Sequence, residues 1–267
     1  MKAYLSLFRI RFINGLQYRA AAYAGMATQF AWGFMTIFMY AAFYKTGSSA
    51  FPMEFSQLSS YVWLQQAFLA LFMTWFLDSD IFSAITSGNI AYELTRPMDL
   101  YNMWFTKQLA IRISKAVLRC LPIILVAIFL PAPYGLSLPS DMLSFIMFLI
   151  TMITGLGVVV AFSMFIYIST FYTLSSLGVR MVALSLTEIL SGAIIPLPFL
   201  PDKVRQVFEL LPFASMQNLP LRIYIGDISG KEMIIGFAIQ IFWLVFLLFT
   251  GRAWMKKALK RVVVQGG

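Results

Sequence analysis

The sequence predicts an all-α polytopic membrane protein. Six transmembrane helices are expected, with an interfacial helix at the N-terminus. Three observations carry this prediction. Hydrophobic residues make up 60% of the 267 positions and charged residues only 12%, against about 45–50% and about 25% in soluble domains. The apolar residues gather in runs long enough to cross a hydrocarbon core of about 30 Å, which takes about 20 residues of helix. Lysines and arginines collect in alternate connections between those runs, a pattern that sets orientation in a bilayer.

The elements follow in chain order as one transmembrane domain over residues 1–267. Residues 1–20 carry Lys2, Arg9, Arg11 and Arg19 among apolar residues. As a helix they put Leu5, Phe8, Phe12 and Leu16 on one side and Lys2, Ser6 and Arg9 on another. A signal peptide needs an uninterrupted apolar core of about 7–15 residues, which the arginines break, so a helix lying at the interface is expected. The first span covers residues 22–44 and has no charge. After a loop with Lys45, Pro52 and Glu54, the second span, residues 58–77, holds Gln65 and Gln66 but nothing ionisable.

The third span is placed at residues 111–130, with Arg112, Lys115 and Arg119 in its first turns. Cationic side chains there are expected to snorkel to the headgroups. Pro131, Pro133, Gly135 and Pro139 mark a turn. The fourth span, residues 142–168, is 27 residues without a charge, so it tilts or overruns the bilayer. Its Gly155 and Gly157 are sites for close helix approach. The fifth span, residues 181–200, contains Glu188 and ends at Pro196, Pro198 and Pro201. Residues 203–232 are semi-polar and broken by Pro212, Pro220, Gly226 and Gly230. The sixth span, residues 233–251, opens onto Arg252, Lys256, Lys257, Lys260 and Arg261.

Six spans put both termini on one side. Fifteen of the twenty lysines and arginines then fall on that side and five on the other. The bias makes the termini cytoplasmic and accounts for the net charge of +9 without nucleic acid as a partner.

The rare residues exclude most chemistry. There is no histidine, so histidine-based catalysis and most zinc sites are out. The single cysteine, Cys120, has no partner for an intrachain disulfide. No G-x-x-x-x-G-K-[ST] phosphate loop occurs, and no set of nucleophile, acid and base is spaced for an enzyme or for a metal ion.

Two places remain. Glu188 is an acid inside a predicted span, where a carboxylate must face protein or water rather than lipid. It is either a hydrogen-bonded packing residue or, with Ser191, Gly192 and Pro196, the lining of a translocation pathway or dimer seam. The second place is the inner connection between the second and third spans. There Asp78, Ser79 or Asp80 can cap a short helix, Gly88-Asn89 ends or kinks it, and Arg96-Pro97 forces an extended turn. Such a segment can equally be an ordinary loop lying on the headgroups.

Four blocks resemble the ABC-2-type transporter permease family. They are E-L-T-R-P at Glu93–Pro97, S-G-A-I-I-P-L-P-F-L-P at Ser191–Pro201, L-L-P-F at Leu210–Phe213 and P-L-R-I-Y-I-G at Pro220–Gly226. The resemblance implies the membrane subunit of an ATP-driven exporter, with an outer region over residues 203–232 that re-enters the membrane before the sixth span. Two permease halves, identical or paralogous, pair with separate ATPase subunits in the cell (inner) membrane. This chain itself would bind no cofactor, with ATP and Mg held by the partner ATPase. The resemblance also implies a coupling element within residues 81–97, carried by Ile81, Phe82, Ile85, Glu93, Arg96 and Pro97. Ile90 and Leu94 add to the apolar residues that would fill a groove on the ATPase. A secondary carrier or channel using Glu188 as an ion or proton site is the alternative, and a membrane scaffold without flux is a third class.

Overall fold

Four residues that precede apolar runs turn out to start helices. Asp78 Oδ1 accepts from the Asp80 N–H at 3.0 Å, Asp99 Oδ1 from Asn102 at 2.9 Å, Asp141 Oδ1 from Ser144 at 2.8 Å and Ser175 Oγ from Leu177 at 3.3 Å. Each satisfies one of the N–H groups that a helix leaves open at its start. At Asp141 the Ser144 N–H and hydroxyl hold the carboxyl below its ordinary range.

The computed structural model describes residues 2–47, 51–173 and 175–261, so part of the loop after the first predicted span lies outside it. Twelve α-helices, and no strand, occur among the described residues. They are α1 (Lys2–Gln17), α2 (Arg19–Gly47), α3 (Phe55–Ala67), α4 (Leu69–Phe72), α5 (Ser79–Thr86), α6 (Ile90–Leu94), α7 (Leu100–Phe129), α8 (Met142–Ser169), α9 (Ser176–Leu190), α10 (Asp202–Glu209), α11 (Asn218–Tyr224) and α12 (Gly230–Leu259). Two of the described helices, α8 and α12, are apolar and long enough to cross a membrane by length and composition alone.

The core is built on α3, whose residues from Leu58 to Ala67 are all buried. Trp63 packs edge-on to Phe34 of α2 and donates its indole N–H to the Tyr134 carbonyl at 2.8 Å. α8 lies against α12 and against the wholly buried α11. Gly155 makes that approach possible, because a Cβ there would stand 2.6 Å from the Met216 carbonyl oxygen. Gln240 of α12 bridges the same place, donating to the carbonyls of Thr151 at 2.9 Å and Ser215 at 2.8 Å. The N-terminal helix α1 has protein rather than open space along one side. Tyr4 Oη accepts from the Asp99 N–H, and Arg11 pairs with Asp80 at 3.5 Å. Gly15 abuts Ser114 further along, so α1 runs in the same direction as α7.

Three predicted spans differ from the helices that form. The run at residues 58–77 is helical only through Phe72, with a break at Phe68, and continues without helix to Asp78. The helix assigned to residues 111–130 begins at Leu100, capped by Asp99. The helix assigned to residues 181–200 begins at Ser176 and ends at Leu190. Fifteen residues rise about 22 Å, less than a hydrocarbon core of about 30 Å.

The early start of α7 reverses the expectation for Arg112, which is buried in the bundle and does not snorkel. Its Nη1 donates to the carbonyls of Leu71 at 3.1 Å and Met73 at 2.7 Å, with Ala70 at 3.4 Å, and Nη2 donates to Ser163 Oγ at 3.3 Å. Gln108, one turn earlier, donates to the Phe76 carbonyl. The hydroxyl of Tyr167 on α8 donates to Gln108 Oε1 at 3.1 Å and accepts from the Asp78 N–H at 2.6 Å. These donors take up carbonyls that helical continuation past Phe72 would otherwise bond.

Arg112→Met removes the donors and leaves at least two buried carbonyls unbonded, each costing about 1–3 kcal/mol. Thermal unfolding in detergent should fall by on the order of 10 °C, and amide exchange across residues 72–78 should accelerate. Arg112→Lys, with a single ammonium in place of the fork, should fall between. Unchanged melting and exchange in Arg112→Met would remove the capping role.

Candidate functional site

The connection between α4 and α7 folds as two short helices, α5 and α6, joined at Gly88. α5 begins from the Asp78 cap, and burial pushes the Asp78 carboxyl above its ordinary range against the pull of the Asp80 N–H. Ile81 and Phe82 are buried inside the chain, as is Ile90. The Phe82 ring lies 4.9 Å from that of Tyr167, and the Arg180 guanidinium stands 4.9 Å from the centre of the Phe82 ring. Ile85 is half-buried in the same cluster.

Glu93 also turns inward. Its carboxylate accepts from the Trp104 indole N–H at 2.6 Å and pairs with Lys107, whose side chain is buried. A buried lysine is stable as a cation only with such a partner. Arg96 and Pro97 are exposed. Tyr92 is 74% exposed and Leu94 43% exposed.

The expectation that Ile81, Phe82, Ile90 and Glu93 lie on a contact face is therefore corrected. An eight-residue amphipathic helix buries its apolar stripe against the nearest apolar surface, and that surface is supplied by Met103, Trp104 and Tyr167 of the same chain. What remains for another molecule is the face of Tyr92, Leu94, Arg96 and Pro97.

The second candidate place is the end of α9. Glu188 is half-buried, with no hydrogen bond or ion pair recorded for it among the described residues. Met181, which shares the Glu188 face at a spacing of seven, is exposed, and so are Val182, Leu186 and Ile189 on other sides of α9. Ser191 is buried, and Gly192 follows at φ +76°, a left-handed conformation that glycine adopts without strain. The chain then docks on α3. Tyr61 Oη donates to the Gly192 carbonyl at 3.3 Å and Gln65 Nε2 to the Ala193 carbonyl at 2.7 Å. Pro196 is buried and opens a 3-10 turn at Leu197–Phe199. Glu188 and the buried trio Ser191, Gly192 and Pro196 are thus near in sequence but differently exposed.

Beyond them, α10, α11 and α12 enclose a cavity of about 320 Å³ lined by Arg205, Glu209, Ser215, Asn218, Arg222 and Glu232 among others. Arg222 pairs with both Glu209 and Asp227. No group of three or more His, Cys, Asp or Glu side chains suited to a metal ion occurs among the described residues.

Sequence reasoning missed Trp104, Lys107, Gln108 and Arg112 as a set. The available signal was their spacing: positions three and four apart on a helix share a face, and four polar or hydrogen-bonding side chains on one face of a helix in an apolar chain need partners. Tyr61 and Gln65, also four apart, carried the same signal on α3.

The ABC-2 family transporter protein family matches residues 22–266, which is nearly the whole chain from α2 onward. No curated protein and no solved structure matches. The apolar helices, the inner segment tied to α7 and this match together describe a membrane permease component of an ABC transporter. The chain belongs to the ABC-2 transporter family.

Proposed function

We propose that the chain is one permease half of an ATP-driven exporter in the inner membrane, with both termini cytoplasmic. Two such halves, identical or paralogous, enclose the cargo pathway, and separate ATPase subunits bind ATP and Mg and drive it. The observation that supports this reading best is how the inner segment is held. Glu93 fastens α6 to α7 through Trp104 and Lys107, while Asp78, Tyr167 and Gln108 fasten the start of α5 to α7 and α8. A push on the exposed face of Tyr92, Leu94, Arg96 and Pro97 then reaches the membrane helices without being absorbed by a slack loop. The ATPase docks on that face, and Ile81, Phe82 and Ile85 act from beneath by keeping it in place.

The face of α9 supports the pairing of halves. An unpaired carboxylate facing lipid costs about 2.5–3.5 kcal/mol on insertion scales, and covering Glu188 with a second half or with a watery pathway removes that cost.

Topology is tested with single cysteines at four positions. Those replacing Lys45 and Lys231 should react with an impermeant thiol reagent from outside, and those replacing Lys2 and Lys260 should not; outside labelling at either terminus overturns the orientation.

Docking is tested on the exposed face. Leu94→Asp and Arg96→Glu should weaken ATPase capture by about tenfold or more, the loss of roughly 1.4 kcal/mol, with the melting temperature unchanged. Phe82→Ala should instead lower the melting temperature. Full capture and coupling in both surface variants would exclude this face.

For the seam, Glu188→Gln should reduce ATP-driven flux severalfold while the assembled complex survives. Normal flux makes Glu188 a packing residue, and loss of a gradient-driven, ATP-independent flux would mark a secondary carrier instead.

A further inference from the structure

Arg112, Lys115 and Arg119 follow one another along one side of α7 at spacings of three and four. Arg112 is committed to carbonyl oxygens, but the other two cations are not. Neither Lys115 nor Arg119 makes an ion pair among the described residues. Both stand over the same ring, Phe76, with Lys115 Nζ 4.7 Å and Arg119 Cζ 5.8 Å from its centre. Arg119 reaches one carbonyl, that of Ala21, at 3.5 Å, and its Nε is buried without a partner. Asp78, the carboxylate on the adjoining link, is turned to cap α5.

The Arg119 guanidinium lies across α2 where that helix has almost no side chain. A Cβ on Gly25 would stand 2.5 Å from Arg119 Cζ. Ala21 and Gly25 share their face of α2 with Trp32 at helical spacing; Trp32 is exposed, as is Tyr18 just before the helix starts. Trp75, beside Phe76, is exposed as well. Two cations that make no ion pair among the described residues are thus edged by aromatic residues of the kind that sit at a membrane interface. Helical side chains lean toward the start of their helix, so both cations lean toward the Leu100 end of α7, on the side of the chain termini.

We propose that Lys115 and Arg119 hold the phosphate of an anionic phospholipid from the leaflet on that side. The guanidinium fork and the ammonium both suit phosphate oxygens. The bare backbone at Ala21 and Gly25 lets the guanidinium lie flat over α2, and the exposed aromatic residues border the acyl chains. A soluble anion has no use for that apolar border. The site is independent of ATPase docking and of the seam at Glu188.

The test uses the full chain purified in detergent. It is titrated with phosphatidylglycerol or with phosphatidylcholine of the same acyl chains, and bound lipid is counted by native mass spectrometry. Phosphatidylglycerol should be retained in preference by about tenfold or more, two cations acting together. The preference should vanish in Lys115→Gln/Arg119→Gln and persist in Lys115→Arg/Arg119→Lys, which keeps both charges. Gly25→Leu, which displaces the guanidinium without touching a charge, should weaken it severalfold. Three results overturn the proposal: a preference unchanged in the double glutamine variant, displacement of the lipid by soluble glycerol phosphate, or a disulfide between cysteines at positions 119 and 188 of two copies. The last would assign the cations to a carboxylate of a second copy.

Discussion

A buried guanidinium bonded to backbone carbonyls is the interaction on which the rest of the bundle depends. The helix α3–α4 stops short, and the carbonyls at its end need donors that neither water nor lipid supplies in an apolar interior. Arg112 supplies them from α7. Arg112 makes no ion pair among the described residues, and the partial negative charge at a helix C-terminus serves as its counter-charge. Each group makes the other tolerable. The bond works at a single register, so α7 cannot slide along α3 without exposing both. Gln108 and Tyr167 extend the same level to α8.

The inner segment inherits its position from that register. The link that Arg112 and Gln108 hold leads directly into α5, and the residues that fasten α6, Trp104 and Lys107, stand on the same face of α7 one to two turns away. One helix face therefore serves both the break after α4 and the attachment of α6.

On the far side, small residues and amides do comparable work. Gly155 lets α8 approach the turn before α11, and Gln240 closes the gap by bonding carbonyls from two elements. Gly192 turns the chain after α9 so that Tyr61 and Gln65 can bond the carbonyls that follow. In each case an irregular stretch of backbone is satisfied by a side chain from a neighbouring helix, the condition for irregular backbone inside a membrane protein.

Composition alone determined the class of protein and the apolar helices α8 and α12, because hydropathy belongs to residues one at a time. The resemblance at Glu93–Pro97 and Ser191–Pro201 pointed to the family that the match over residues 22–266 then showed. The apolar run at residues 58–77 reads as one continuous helix, and nothing within it reveals the break at Phe68 or the stop at Phe72. Likewise Ile81, Phe82 and Glu93 read as a free surface until Trp104, Lys107 and Tyr167 are placed against them. Those outcomes rest on hydrogen bonds and burial between segments 11 to 89 positions apart. Only the tertiary structure decides which donor meets which carbonyl, because that pairing is a property of neighbours in space and not of order along the chain.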